Sequence, residues 1–70
     1  MMPLTFAKEG EPACIKKVGG KEDIRQFLEN LGFVVGAAVT VISMSGGNLI
    51  VNIKDSRVAI GKDMASRILV

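Results

Sequence analysis

The side chains that could do chemistry in this 70-residue chain are few. It has one cysteine, Cys14, and no histidine, so neither an internal disulfide nor a zinc site of thiolate and imidazole ligands can be assembled. The nearest carboxylate pairs are Glu9 with Glu11 and Glu22 with Asp23. Acids at such places are typical of a solvated turn and of a helix start, where they interact favourably with the helix dipole. We therefore predict that the chain is not an enzyme and has no catalytic residues, metal ligands or cofactor.

Two further features of the sequence bear on ligand binding. Gly19-Gly20-Lys21 superficially suggests a phosphate-binding loop, but it lacks the earlier spaced glycine and the Ser or Thr that would hold magnesium. Ferrous iron favours imidazole, thiolate and clustered carboxylate ligands, whereas this chain offers isolated acids and Cys14 on a predicted strand. We expect Cys14 to be a buried structural thiol.

The composition is that of one small folded domain, residues 1–70. Hydrophobic residues make up 49% of the chain, which is too many for a disordered segment. The longest nearly apolar run, residues 33–42, is about half of the roughly 20 residues that span a bilayer, and no leader sequence is visible. We therefore expect a soluble, cytoplasmic protein with no membrane insertion. A core this small is often supported by a partner, so a homo-oligomer is one option.

The best-defined element is an amphipathic helix. Four apolar residues recur at the spacing that lines one helical face: Ile24, Phe27, Leu28 and Leu31. This spacing predicts that the whole face is buried. Gly32 follows the last leucine, where a helix end needs a left-handed residue, and Gly20 is the expected cap at the helix start.

Two β-branched runs around a glycine turn predict a β-hairpin. A two-residue loop would scatter the valines over both faces of a regular hairpin. A three-residue loop, Ser45-Gly46-Gly47, puts the apolar residues on one face. We therefore predict the three-residue loop, with Val41 opposite Val51 and Val39 opposite Ile53 on the inner face.

The same parity predicts a second hairpin and an outer face. A two-residue turn at Asp55-Ser56 sets Ile53 opposite Val58 and Val51 opposite Ile60, again on the inner face. The outer face is then mostly polar and carries Thr40, Asn52, Lys54, Arg57 and Ala59.

One apolar pair, Ile42 opposite Ile50, interrupts this polar outer face. Such a pair is typical of a second small core under a curved strand or of a surface covered by a terminus; the alternative is a contact with another protein. Ile42 and Ile50 are therefore the candidate partner-binding residues.

The two ends of the chain complete a predicted barrel. A strand from Ala13 to Val18 contains Ile15 and Val18 three positions apart, so either a bulge turns both inward or only one is buried. Residues 62–66 fit one helical turn, and residues 67–70 form a strand expected to pair with the N-terminal one. The predicted fold class is mainly β: a small five-stranded barrel with one inserted α-helix and a short helical turn before the last strand.

A pattern of residues spread over nearly the whole chain points to a known family. It comprises Ile15 and Val18 before Gly19-Gly20, then Leu28, Leu31-Gly32-Phe33, Gly36, Val39, Val41, Val58-Ala59-Ile60, Ala65, Ile68 and Val70. This pattern resembles the FeoA family. Members of that family are similar to SH3-like barrels, are small bacterial cytosolic proteins, and are associated with ferrous iron uptake through the membrane transporter FeoB.

The resemblance implies a cytosolic adaptor that regulates ferrous iron uptake by protein–protein contact with FeoB. The alternative is a small nucleic-acid-binding barrel, or a self-associating domain related to the C-terminal domain of metal-dependent repressors. Five basic residues are candidates for a nucleic-acid surface: Lys16, Lys17, Lys54, Arg57 and Lys62. A formal charge of only +2 and only three aromatic residues argue against nucleic acid as the partner.

Overall fold

The computed structural model describes all residues from Met1 to Val70. Its elements are a 3-10 turn at Leu4–Phe6, β1 at Pro12–Cys14, β2 at Lys17–Val18, α1 at Glu22–Asn30, β3 at Ala38–Ser45, β4 at Asn48–Ile53, β5 at Ser56–Gly61, α2 at Lys62–Ala65 and β6 at Ile68–Leu69. An antiparallel four-stranded sheet has the order β1-β3-β4-β5, and β2 pairs with β6 in a second sheet. The predicted mainly β class, with one inserted helix and a helical turn before the last strand, is confirmed. Neither helix is long and apolar enough to cross a membrane.

The strands number six instead of the predicted five, because the first predicted strand is divided between the two sheets. The Ile15 N–H donates to the Ala37 carbonyl at 2.9 Å, whereas the next N–H, that of Lys16, donates to the Leu69 carbonyl at 2.8 Å. The chain therefore crosses from one sheet to the other between these two residues. Ile15 is fully buried and Val18 is half-buried against the core, so this corner turns both residues inward.

The last strand joins the N-terminal part of the chain, as predicted. β6 is antiparallel to β2. On its other side, the N–H groups of Met2 and Val70 each donate to the other residue's carbonyl, at 2.9 and 2.8 Å. β5, by contrast, pairs with β4 alone, so the ring of strands is open at β5.

The β3–β4 hairpin keeps the predicted inner pairs but not the predicted loop. The loop consists of two residues, Gly46 and Gly47, whose φ angles of 56° and 86° suit a tight hairpin turn. The extra residue lies within the strand, because Ile42 forms a bulge between Val41 and Ser43. The bulge has the same effect as the longer loop of the prediction, because either one puts Val39 and Val41 on the inner face. Both predicted inner pairs are observed, Val41 with Val51 and Val39 with Ile53.

The β4–β5 turn lies one residue earlier than predicted, at Lys54 and Asp55, with φ angles of 48° and 63°. Ile53 therefore does not face Val58, and each residue of β5 faces a partner two positions away from the predicted one. A slip of two residues leaves every side chain on its original face. Val58 and Ile60 accordingly remain on the inner face, where both contact the core.

Helix α1 ends as the sequence predicts but begins one residue later. Gly32 has a φ of 107°, its N–H donates to the Glu29 carbonyl at 2.9 Å, and the Phe33 N–H donates to the Leu28 carbonyl at 2.9 Å. This pair of bonds satisfies the last carbonyls of the helix. The N-cap residue is Lys21, not Gly20.

The buried face of α1 is narrower than predicted. Leu28 is fully buried and Ile24 and Leu31 are half-buried against the core, but Phe27 is 51% exposed. The three inward residues follow the spacing of one helical stripe, whereas Phe27 precedes Leu28 directly and so lies well around the helix from it. The prediction that Phe27 is buried is therefore wrong.

We expect Leu28→Ala to lower the free energy of unfolding by about 2 to 5 kcal/mol, because it removes a fully buried side chain from a small core. Phe27→Ala is the matched control and should cost much less, since half of that ring is already in water. Urea denaturation followed by circular dichroism measures both. Equal losses in the two variants would contradict the observed orientation of α1.

Candidate protein-interaction surface

The outer face of the four-stranded sheet is built of rows of side chains that run across the strands. Residues that face each other on neighbouring antiparallel strands share a face. One row consists of Pro12, Thr40, Asn52 and Arg57. The next row, beyond the bulge, consists of Ser43, Ile50 and Ala59. A polar row thus lies beside a row with an isoleucine at its centre.

The two isoleucines singled out from the sequence lie on neighbouring strands, but they do not face each other as predicted. Ser43 is the residue opposite Ile50, because the bulge removes Ile42 from the regular ladder. Both isoleucine side chains are half-buried. Neither belongs to the core cluster or to the apolar residues packed against it. Ile42 and Ile50 are therefore apolar side chains that do not pack in the core.

A shallow groove of about 510 Å³ adjoins the polar row. Its walls include Ala37, Ala38, Thr40, Asn52, Lys54 and Asp55. Thr40 and Asn52 face each other and are both half-buried, and the Arg57 Nε donates a long hydrogen bond of 3.5 Å to the Asn52 Oδ1. The groove offers a hydroxyl, an amide and both signs of charge above small side chains. Such an open, mixed surface is suited to polar contacts with another chain.

The residues considered for chemistry are dispersed over the surface. Cys14 is exposed, so the prediction of a buried thiol is wrong. Strand alternation gives the physical reason, because the adjacent Ile15 takes the inward position. The four acids are also exposed: Glu9, Glu11, Glu22 and Asp23. No group of three or more His, Cys, Asp and Glu side chains lies close enough to hold a metal ion.

The Gly19-Gly20-Lys21 segment is a packed connection. The Gly19 N–H donates to the Arg67 carbonyl at 2.7 Å. Gly20 has a φ of 102°, and a Cβ atom there would lie 3.2 Å from the Arg67 side chain. These glycines are thus explained by the turn and by close packing.

The basic residues considered for nucleic acid are divided between different parts of the fold. Lys17 lies in β2 of the two-stranded sheet, and Lys16 precedes it. Lys54 and Arg57 lie at the β4–β5 hairpin, and Lys62 begins α2. This distribution gives no single basic strand or helix for a phosphate backbone to follow.

The groove was missed by the sequence reasoning, although one signal was present. Asn52 is a polar residue between Val51 and Ile53, and the next outward residue of the strand, Ile50, is apolar. A half-buried amide at such a position indicates a surface with hydrogen-bonding demands. The facing Thr40 was predicted on the outer face, but no groove was inferred from the pair.

Comparison with known proteins identifies the relatives of this chain. The family model described as the FeoA domain matches residues 2–70. A relative from Methanocaldococcus jannaschii, whose name refers to Fe(2+) transport protein A, is 39% identical over 70 residues, which are 100% of this chain and 85% of the relative. The crystal structure of an iron uptake regulatory protein (FeoA) is 31% identical with a TM-score of 0.86, and the match covers 96% of this chain and 89% of that one.

A further solved structure, Stenotrophomonas maltophilia FeoA complexed with zinc, is 25% identical to this chain. The TM-score is 0.84, and the match covers 99% of this chain and 88% of that one. That protein is described as a prokaryotic SH3 domain protein. The predicted SH3-like class is therefore confirmed for this chain.

We expect the thiol of Cys14 to react with a colorimetric disulfide reagent in the folded protein, because its side chain is exposed at the end of β1. One thiol per chain should be titrated without denaturant, with no change in the circular dichroism spectrum. A Cys14→Ser variant should give no signal. Titration only after unfolding would contradict the observed position of this residue.

Proposed function

The chain belongs to the FeoA family of ferrous-iron-transport proteins, and we propose that it is a cytosolic adaptor that regulates ferrous iron uptake by direct contact with the FeoB transporter. The observation that carries the proposal is the pair of half-buried isoleucines, Ile42 and Ile50, that lie outside the core. The partner-binding surface is centred on these two residues.

The surroundings of Ile50 support a protein contact. Small side chains flank it on both neighbouring strands, Ser43 on β3 and Ala59 on β5. The polar pair Thr40 and Asn52 lies in the adjoining row, beside the groove. An apolar centre surrounded by polar groups is the usual anatomy of a protein interface, in which a few anchors supply most of the binding energy.

Regulation by contact requires no reactive group on the adaptor. A protein that binds one conformation of a transporter more tightly than another shifts the population toward that conformation. The shift is limited by the difference between the two affinities. The chain's contribution is therefore its rigid outer face, which is held in place by the core pairs on the opposite side of the same strands.

We expect Ile50→Ser to weaken binding to the cytosolic domain of FeoB by at least about tenfold, the loss typical of truncating an interface anchor. Ile42→Ser should act in the same direction. Val35→Ser is the matched control, because Val35 is an exposed apolar residue in the loop before β3 and not in the outer-face rows. Calorimetric titration of each variant against the purified domain provides the measurement.

Circular dichroism must accompany these titrations, so that a folding defect is separated from a contact defect. Wild-type affinity in folded Ile42→Ser and Ile50→Ser would exclude this surface. Absence of binding by the wild-type chain itself would exclude FeoB as the partner.

A further inference from the structure

The outer edge of β5 carries backbone groups that have no partner in the chain. β5 pairs with β4 in a regular ladder in which Ile53 and Ser56 close the two-residue turn. In such a ladder, hydrogen-bonded pairs of residues alternate with pairs that are not hydrogen-bonded. The N–H and C=O groups of each β5 residue in a pair of the second kind point away from β4. On β5 these outward residues are Arg57, Ala59 and Gly61. None of their N–H groups donates to another backbone carbonyl outside the ladder.

The other edges of the fold are covered, blocked or very short. The outer edge of β2 has no partner strand, but β2 is only two residues long. β6 lies between β2 and the N-terminal segment, to which it is joined through Met2 and Val70. β1 is short and begins with Pro12, which has no N–H. β5 has none of the usual protections, since it contains no proline and no bulge and its only charged residue is Arg57. With six residues, it is therefore the longest unprotected edge of the fold.

We propose that β5 pairs antiparallel with β5 of a second copy of this chain, about a two-fold axis at Ala59. In this register Ala59 faces Ala59 of the second copy, and Arg57 faces Gly61 of the second copy. The Ala59 pair then forms two hydrogen bonds across the interface. Each Arg57–Gly61 pair forms one, from the Gly61 N–H to the Arg57 carbonyl, because Gly61 is the N-cap of α2 and its own carbonyl accepts the first bond of that helix. The two four-stranded sheets become one continuous sheet.

The sequence of β5 fits its own copy in this register. The central residue is small, so the two chains meet without a steric conflict at the axis. Arg57 faces a glycine and not a second arginine, which avoids like charges in direct opposition. A Cβ placed on Gly61 would meet only the Asn48 Oδ1, at 3.8 Å, so no other side chain of the same copy fills the space directly above Gly61.

The inner face gains apolar contact in the same register. Val58 would lie opposite Ile60 of the second copy, on the side of the sheet that faces the core. Val58 is only half-buried in the single chain, although it packs against the core, whereas Ile60 is 5% exposed. Pairing would withdraw the remaining exposed surface of Val58 from water. This inference rests on the strand edge and is independent of the proposed contact with FeoB.

The test is the mass of the full chain in solution, measured by sedimentation equilibrium from micromolar to millimolar concentration. We expect a monomer–dimer equilibrium for the wild type. Ala59→Pro removes the outward N–H at the axis and should weaken the dimer by at least about tenfold. It leaves the β4 ladder intact because that N–H does not bond to β4. Ala59→Val is the control: it keeps the N–H and should still dimerise.

Hydrogen exchange of the wild-type chain tests the β5 pairing even if Ala59→Pro does not fold. The amides of Ala59 and Gly61 should exchange more slowly as concentration rises, and by a larger factor than the Val58 amide, which already bonds to β4 in the single chain. A monomer at every concentration, or a dimer that persists in Ala59→Pro, would overturn the proposal. Dimerisation with concentration-independent exchange at the Ala59 and Gly61 amides would also overturn it.

Discussion

The position of one extra residue in β3, Ile42, determines which side chains of the sheet point into the core. A two-residue Gly46-Gly47 loop in a regular hairpin would put valines on both faces. The bulge at Ile42 reverses the parity part-way along the strand, so Val41 and Val39 both turn inward. The same step leaves Ile42 outside the core. The stability of the core and the apolar character of the outer face are thus two results of one backbone irregularity.

The sequence predicted the faces of the strands better than their loops. Apolar alternation indicated the inner residues of β3, β4 and β5, and Gly32 indicated the end of the helix. Loop length was not determined, because a longer loop and a bulge give the same parity to Val39 and Val41. The slipped Lys54-Asp55 turn has the same cause, since a shift of two residues preserves the faces. The exposed Cys14 and Phe27 were missed because a neighbouring residue, Ile15 or Leu28, takes the buried position.

The candidate surface was only partly accessible to sequence reasoning. The sequence indicated that Ile42 and Ile50 are apolar residues on a polar face. Which residue lies opposite Ile50, and where the groove lies, depend on the exact register of β3 and β4, which the sequence did not determine. The proposed FeoB-binding surface and the proposed dimer edge lie next to each other. Ala59 lies in the same row as Ile50 and is also the centre of the open β5 edge. A dimer through β5 would place the two Ile50 rows end to end and present a partner with a surface of doubled length.

The central claim, that Ile42 is an extra residue inside the β3–β4 ladder, is tested most directly by cross-strand nuclear Overhauser effects in the labelled protein. The account predicts contacts between the backbone protons of Ser43 and Ile50 and of Val41 and Val51, with Ile42 left out of the regular series. An uninterrupted ladder in which Ile42 faces Ile50 and Ser43 faces Leu49 would contradict it. That result would restore the three-residue loop and remove the bulge from the explanation of the outer face.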